Sequence, residues 1–582
     1  MEKRWVLKEK GDFETVRKLQ NELNINIHLA NLLVQRGIRT FDEAKAFFRP
    51  QLSDLHDPFL MKDMDIAIER IENAIANNEK ILVYGDYDVD GTSAVALVYS
   101  FLKEHYSEVD FYIPDRYSEG YGISYKGIDF AEENNFTLII ALDCGIKAIN
   151  QIKYANEKGI DFIIGDHHRP GDIIPDAVAV LDPKRNDSEY PYNELSGCGI
   201  GFKLIQAFTI KNNIPFTLIE KYLDLVAISI ASDIVPITGE NRILAYYGLK
   251  LINTKPRVGI EAVLRFSNIC KSNDYNSDSE LFFKRELTIN DLVFLISPRI
   301  NAAGRMESGK SSVELLICES IEKALQVGEL INNNNIDRKN LDSFTTQQAI
   351  DIIKNDSFLK DSKSTVLFHP EWHKGVIGIV ASRLTEEYYR PTIILTQSNG
   401  LITGSARSVK DFDIYDAIEA CSDLLEHFGG HKYAAGLSLK PENLEKFRLR
   451  FEEEVCKSIK ENMLTPEIEI DDIINLNDIN SKFYNILKQF SPFGPGNMSP
   501  VFQTDNVKDA GYSKVVGNNH IKLAVINPEI ASYPFSGIAF QQADSFPYIQ
   551  KGFPFSICFH IEENEWNGKT SLQLNVKDIK FD

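Results

Sequence analysis

The sequence is poor in the features that would place it outside the ordinary globular class. Among its 582 residues are only seven cysteines (Cys144, Cys198, Cys270, Cys318, Cys421, Cys456 and Cys558), and no two form a CxxC pair. That scatter argues against a disulfide framework or a thiolate zinc site and predicts reduced, mostly buried thiols. No run approaches the roughly 18 apolar residues of a membrane span, and the charged start MEKRWVLKEKGDFETV lacks the apolar stretch of a signal peptide. A cytoplasmic protein is the expectation. Positive charge is also scarce: 63 Lys and Arg stand against 84 Asp and Glu, for a net charge of −21. This argues against a uniformly basic surface for duplex binding, but a local basic groove remains compatible with it. At this length, with 43% hydrophobic and 25% charged residues, several soluble domains are expected.

What is present concentrates in Lys80–Thr92, KILVYGDYDVDGT. Ile81 to Tyr84 is a short, β-rich apolar run ended by Gly85. Asp86, Asp88 and Asp90 follow at alternate positions, and beyond Thr92 the apolar spacing becomes helical. Three carboxylates in one strand-to-helix turn repel one another unless a cation sits among them, and a hard divalent metal is the usual solution. An EF-hand calcium loop is a poor alternative. Its twelfth position needs a bidentate Glu and here is Leu97, and a strand rather than a helix precedes it.

The strand–loop–helix unit recurs. Asp110–Pro114 is a second expected strand, Thr137–Leu142 a third that ends in Asp143, and Asp161–Gly165 a fourth that ends in Asp166-His167-His168. Such alternation predicts an α/β fold with a mostly parallel, doubly wound sheet whose strand C-termini share one edge. Asp233 ends an apolar, helix-like run, LVAISIAS. Together Asp86, Asp88, Asp90, Asp143, His167, His168 and Asp233 form an oxygen-rich set with two imidazoles. It suits two divalent ions, Mn²⁺ with Mg²⁺ as substitute, rather than Ca²⁺.

The flanks carry less. Residues 1–45 predict a helical lead-in with Trp5, Val6 and Leu7 available to dock on the main body. Residues 51–63 predict an ordered connector, and 65–77 a helix. Residues 307–360 predict either one long helix or two with a turn near Asn332–Asn335. From residue 464, alternating segments such as 520–525 and 571–576 predict a β-barrel that binds single strands, with Tyr512, Lys514, Lys522 and Trp566 as candidate contacts.

Several stretches carry a family likeness. DYDVDG, LDCG, GDHH and ASDIVPITGENR resemble, in order, the motifs of the DHH phosphoesterase superfamily. LISPRINAAGRM (295–306) resembles a phosphate-binding signature of the RecJ single-strand exonuclease family. WHKGVIGIVASRL (372–384), GSARS (404–408) and FGGHKYAAGLSL (428–439) resemble its DHHA1 domain. PFGPGNMSPVF (492–502) resembles the lead into its OB-fold domain. The resemblance implies a DHH catalytic domain at 46–270 and a phosphate-binding motif with helical connector at 271–360. A smaller α/β DHHA1 domain would follow at 361–463, and an OB-like barrel at 464–582.

It further implies a metal-dependent enzyme that degrades single-stranded DNA from its 5′ end to 5′-mononucleotides in recombination and repair. Asp86, Asp88, Asp90, Asp143, Asp166, His167, His168 and Asp233 would be catalytic, with Asp166 orienting a histidine or a ligand water. The same family match assigns Arg116, Arg299, Asn301, Arg305, Ser405, Arg407, Gly430 and His431 to the substrate's 5′-phosphate region. Expected partners are single-stranded DNA, a single-strand-binding protein and a RecQ-type helicase. The alternatives are a DHH–DHHA1 phosphoesterase acting on oligoribonucleotides or small nucleotides, and a non-catalytic single-strand-binding scaffold.

Overall fold

The structure, a computed structural model, describes residues 2–273, 275, 281–306, 308–529, 533–566 and 569–581, without the side chains of Met306 and Trp566. The expected Trp566 contact therefore lies outside the described side chains. Two compact units are present. One joins Met1–Val6 to Asn333–Glu469, and the other joins Leu7–Asn332 to Ile470–Asp582.

In the second unit a five-stranded parallel sheet is built from β1 (Lys80–Gly85), β2 (Val109–Tyr112), β3 (Phe136–Leu142), β4 (Asp161–Gly165) and β5 (Ala179–Leu181), in the order β2-β1-β3-β4-β5. Ile81, Val83, Leu138, Ile140 and Ile163 enter one core layer, and Leu82, Tyr84, Ile139, Phe162 and Ile164 enter the other. Both faces are covered, as near-continuous apolar strands require. Because the order reverses at β1, the β1 and β3 ends flank a topological switch point, where such sheets bind ligands. Four helices that matter to the site follow: α1 (Val89–His105), α2 (Gly197–Lys211), α3 (Leu223–Ser232) and α4 (Gly239–Thr254). After them comes α5 (Ser297–Met306).

Residues 321–355 form α6 (Ile321–Asn355), one continuous helix of 35 residues, which decides between the two arrangements considered for this stretch. Asn interrupts the apolar pattern but costs a helix only a fraction of about 1 kcal/mol. Asn335 is moreover held by Arg338 Nη2 at 2.7 Å.

The first unit contains a sheet of β6 (Thr365–Phe368), β7 (Thr392–Ser398), β8 (Leu401–Arg407), β9 (His427–His431) and β10 (Ala434–Leu439), in the order β9-β10-β8-β7-β6. Only β6 and β7 run parallel. The helix α7 (Ile377–Tyr388) packs on β7 and β8. Trp5, Val6 and Leu7 belong to a strand, Arg4–Leu7, paired with Glu467–Ile470, so the lead-in is helical only from residue 13 onward. An available partner strand, not visible from residues 1–10 alone, decides that difference.

The C-terminal strands are β11 (Asp472–Ile473), β12 (Phe502–Asp509), β13 (Lys514–Val516), β14 (His520–Ile526), β15 (Phe535–Ala539), β16 (Phe555–Trp566) and β17 (Lys569–Phe581). β12 pairs with both β16 and β14, which closes β12, β16, β17, β15 and β14 into a five-stranded barrel. Its core, including Phe502, Leu523, Ile557 and Leu574, is continuous with Leu19, Leu29 and Leu33 of the N-terminal helices.

Candidate metal centre

Asp86 follows the last residue of β1, Asp143 follows β3, and Asp166-His167-His168 follow β4. Parallel pairing brings these strand ends side by side, and the C-terminus of α3 delivers Asp233 to the same place. His167 lies at the centre. Its Nε2 is 3.2 Å from Asp143 Oδ1, 3.5 Å from Asp233 Oδ2 and 3.6 Å from Asp90 Oδ2. Ligand atoms of Asp143, His167 and His168, and likewise of Asp90, His167 and Asp233, lie within 4.8 Å of one another. Asp86 and Asp88 stand outside both groups.

The side chains are held to very different degrees. Asp90 is locked: Oδ2 accepts from Gly197 N–H at 2.8 Å, and Oδ1 accepts from Cys198 N–H and Ser229 Oγ–H at 2.7 Å each. These donors include the first turn of α2, whose positive end suits a carboxylate. Asp88 caps α1 through Gly91 N–H. Asp166 accepts from the N–H groups of Ile146, His167 and His168 and from His168 Nδ1 at 2.7 Å. That leaves His168 Nε2 pointing at Tyr121 Oη, 3.3 Å away.

Other atoms have no such partner. Both oxygens of Asp86, Oδ1 of Asp143 and both ring nitrogens of His167 are buried without a hydrogen bond among the described residues. Orphaned buried polar atoms are costly, so several in one place call for a ligand. Burial, then the neighbouring charges, push the Asp86, Asp88 and Asp143 carboxyls upward and Asp233 up to about 8. The push on Asp233 is softened by solvent, since 32% of its side chain is exposed. Burial lowers His167 toward the neutral imidazole that ligates metals, against the pull of Asp90. Burial opposes the charged form of Asp166, but the hydrogen bond and charge of His168 hold it down to about 2. His168 rises to about 9, its own burial outweighed by that bond and by Asp166. Four carboxyls strained upward beside a neutral imidazole form a set that a divalent cation relieves. Mn²⁺ and Mg²⁺ both fit the mixed O/N donors.

Two residues here escaped the sequence analysis. Asp182 follows β5, is fully buried, leaves Oδ2 without a hydrogen bond among the described residues and is pushed up to about 7 by burial and then by Asp166. The signal was the rule that found Asp143, a carboxylate at a strand end, but a three-residue strand shows no periodicity. Tyr121, between two glycines of positive φ, stands edge-on to both Tyr87 and His168.

The expected phosphate contacts divide. Arg116 lies over the Tyr87 ring, 4.9 Å from its centre. Asn301 and Arg305 share one face of α5 at i, i+4 spacing. The helix approaches so closely that a Cβ on Gly304 would lie 2.6 Å from Tyr87 O. Arg299 is placed otherwise: it is buried and donates to Asn332 Oδ1, Leu295 O and Phe266 O. Its Nε, Nη1 and Nη2 therefore each donate within the fold.

Ser405, Arg407, Gly430 and His431 lie in the other unit. Arg407 Nη1 donates to Ser405 Oγ at 3.1 Å, and both meet Gly378 in the first turn of α7. Across the sheet, Ala434 is in register with both His431 and Arg407. Gly430 takes φ +147, and a Cβ there would strike Ala434 O at 2.4 Å. In the second unit a 660 Å³ cavity lined by Tyr222, Tyr247, Lys250 and Arg257 lies at the opposite ends of α1 and α3 from the carboxylates.

Comparison with known proteins adds the family. Residues 80–230 match the DHH family, N-terminal domain; 361–457 match the DHHA1 domain; 470–578 match the RecJ OB domain. The chain is 34% identical to the single-stranded-DNA-specific exonuclease RecJ of Bacillus subtilis over 578 residues, spanning 99% of this chain and 70% of that one. It is 32% identical to the same enzyme of Salmonella typhimurium, spanning 95% of each. The fold resembles the crystal structure of Thermus thermophilus RecJ in complex with Mn²⁺. The TM-score is 0.83 at 24% identity, covering all of this chain and 80% of that one. An exonuclease RecJ bound to manganese matches with TM-score 0.58 at 28% identity, over 70% of this chain and 97% of that one. With three domain types in order and such relatives along nearly its whole length, the chain belongs to the RecJ family.

Proposed function

We propose that the protein is a metal-dependent exonuclease that hydrolyses single-stranded DNA from its 5′ end to 5′-mononucleotides. The observation that carries this reading is the buried cluster of unpartnered carboxylate and imidazole atoms around His167, in a chain whose relatives are single-stranded-DNA-specific exonucleases. Asp86, Asp88, Asp90, Asp143, His167, His168 and Asp233 would hold two Mn²⁺ or Mg²⁺ ions. Once bound, such a pair supplies Lewis acidity at the phosphoryl group and a nucleophile from water near neutral pH.

The chain's own residues do the remainder. Asp166 accepts from His168 Nδ1–H and so fixes the ring, which turns Nε2 toward the ions it would help to hold. Asp90, held by three donors, keeps its place as substrate comes and goes. Arg116, Asn301 and Arg305 bind the phosphate chain beside the site. Ser405, Arg407, Gly430 and His431 grip the 5′-terminal phosphate, and that grip makes cleavage terminal and stepwise. Arg407 suits this role because burial lowers its pKa and strips competing water, so a phosphate is a strong partner.

On this reading the working division is a helical lead-in (1–45), DHH domain (46–270), motif and connector (271–360), DHHA1 domain (361–463) and barrel (464–582). The enzyme works in the cytoplasm in recombination and repair, on strands opened by a RecQ-type helicase and covered by single-strand-binding protein. Digestion of 5′-labelled and 3′-labelled single strands, with Mn²⁺ and with EDTA, tests the core of the proposal. Immediate release of the 5′ label as mononucleotide, gradual shortening of the 3′-labelled strand and silence in EDTA are expected. Intact strands in Mn²⁺, or first release from the 3′ end, would overturn it.

A further inference from the structure

We propose that the turn at residues 492–498, at the root of the barrel, is a positioning element for Asp233, so that seating of the barrel sets the affinity of the site for its metal. This rests on the reading of Asp233 as a metal ligand. Asp90, Asp88 and Asp166 are all fixed by hydrogen bonds to their carboxylates. The Asp233 carboxylate accepts none among the described residues, and its Oδ2 lies 3.5 Å from His167 Nε2. Its position therefore follows from its backbone alone.

That backbone is unusual. Asp233 closes α3, and the next residue, Ile234, takes φ +59, a left-handed conformation that a β-branched residue strongly resists. Ile234 is 64% exposed, so packing of its own side chain does not hold it there. The restraint comes from the residues that follow. Ile237 N–H donates to Pro495 O at 2.7 Å. Pro236 O accepts from Asn241 Nδ2 at 3.0 Å and Tyr192 Oη at 3.2 Å.

Two glycines let the 492–498 turn press against this loop. A Cβ on Gly494 would lie 2.4 Å from Ile237 Cδ1, and one on Gly496, at φ +74, would lie 2.8 Å from Thr238 Cγ2. The turn is rigid in its own right. Asn497 Nδ2 donates to Phe490 O and Pro492 O, and Asn497 Oδ1 accepts from Arg36 Nε at 2.7 Å. Arg242, from α4, spreads its guanidinium over the carbonyls of Phe47, Phe490 and Ser491. Tightly packed contacts of this kind move as a unit, and a displaced turn carries the Asp233 backbone with it.

The experiment uses the full-length protein without DNA. Mn²⁺ binding is followed by electron paramagnetic resonance of the free ion for the parent, Gly496→Ala, Asn497→Ala and Asp233→Asn. Unfolding midpoints in EDTA serve as the folding control. Gly496→Ala should bind Mn²⁺ about 10-fold or more weakly, the scale seen when a support of a metal ligand is lost, and excess Mn²⁺ should restore its turnover. If Gly496→Ala does not fold, Asn497→Ala, which loosens the turn without adding bulk, decides. Parental Mn²⁺ binding by Asp233→Asn would sink the underlying ligand assignment. Weakened binding by Asp233→Asn, together with parental binding by the folded turn variant, would overturn this inference alone.

Discussion

Gly197→Ala is the smallest change that reaches the metal centre. Gly197 opens α2 and donates its N–H to Asp90 Oδ2. A Cβ built on it would lie 2.6 Å from Asp143 Cβ and 2.9 Å from Asp143 Cγ and Oδ1. Carbon atoms pack comfortably at about 3.5 Å, so Asp143 or the helix start must give way by about 0.9 Å. Neither moves freely: Asp143 sits at φ +59, and the helix start is tied to Asp90. Helix propensity favours Ala over Gly by about 1 kcal/mol, so the fold itself should survive.

A displacement of about 1 Å at a catalytic group is worth on the order of 100-fold in rate, or about 2.7 kcal/mol of transition-state stabilisation. The assay is hydrolysis of a 3′-labelled single strand across a Mn²⁺ titration, with thermal unfolding alongside. A folded variant should show a rate reduced by about that factor and a metal dependence shifted to higher concentration. A folded Gly197→Ala enzyme whose rate and metal dependence match the parent's would refute the placement of Asp143 in the working site.

Other perturbations separate the roles. Asp88→Ala and His168→Ala should each abolish turnover with unfolding midpoints near the parent's, and near-normal hydrolysis by either would remove that residue from the catalytic set. Asp233 titrates in the fold near 8 against 3.8 unfolded, so the folded state binds more protons in between and stability falls as pH rises through that window. Metal-depleted protein should thus lose thermal stability toward pH 8, with Mn²⁺ raising the midpoint most at the alkaline end; a midpoint that climbs with pH in EDTA contradicts this. Lys203→Met strands Glu240 in the core, with Tyr190 Oη and the His56 N–H as its remaining partners among the described residues. Chemical denaturation should show a loss of about 3–5 kcal/mol, largely recovered in a Lys203→Met/Glu240→Gln double variant. Arg407→Ala should raise KM for 5′-phosphorylated strands and leave Mn²⁺ binding unchanged; a change confined to metal binding would contradict its phosphate role.

The parts of this molecule that were legible in its sequence obey short-range rules. Strand ends bearing Asp86, Asp143 and Asp166 could be found because apolar runs of five to seven residues carry a readable pattern. Parallel topology then placed them together without knowledge of any side-chain contact. What stayed hidden depends on partners distant in sequence. Nothing near Asp90 announces that Gly197, Cys198 and Ser229 will donate to it. Arg299 stands in the same short motif as Asn301 and Arg305, yet it projects from another side of the helix into carbonyl groups. The β5 strand, three residues long, lies below the length at which alternation is detectable, and Asp182 was lost with it.

The distribution of the centre along the chain has a biosynthetic consequence. Its proposed donors emerge from the ribosome in an order that includes Asp86, Asp143, His167 and Asp233, and the turn proposed to brace the last of them follows only at residues 492–498. At about 5–20 residues per second, the interval from first donor to brace is on the order of tens of seconds. On the proposed bracing, a nascent chain carries a centre of weakened metal affinity until that turn has emerged. For a nuclease of single-stranded DNA, full metal affinity would then wait on the arrival of the barrel's root.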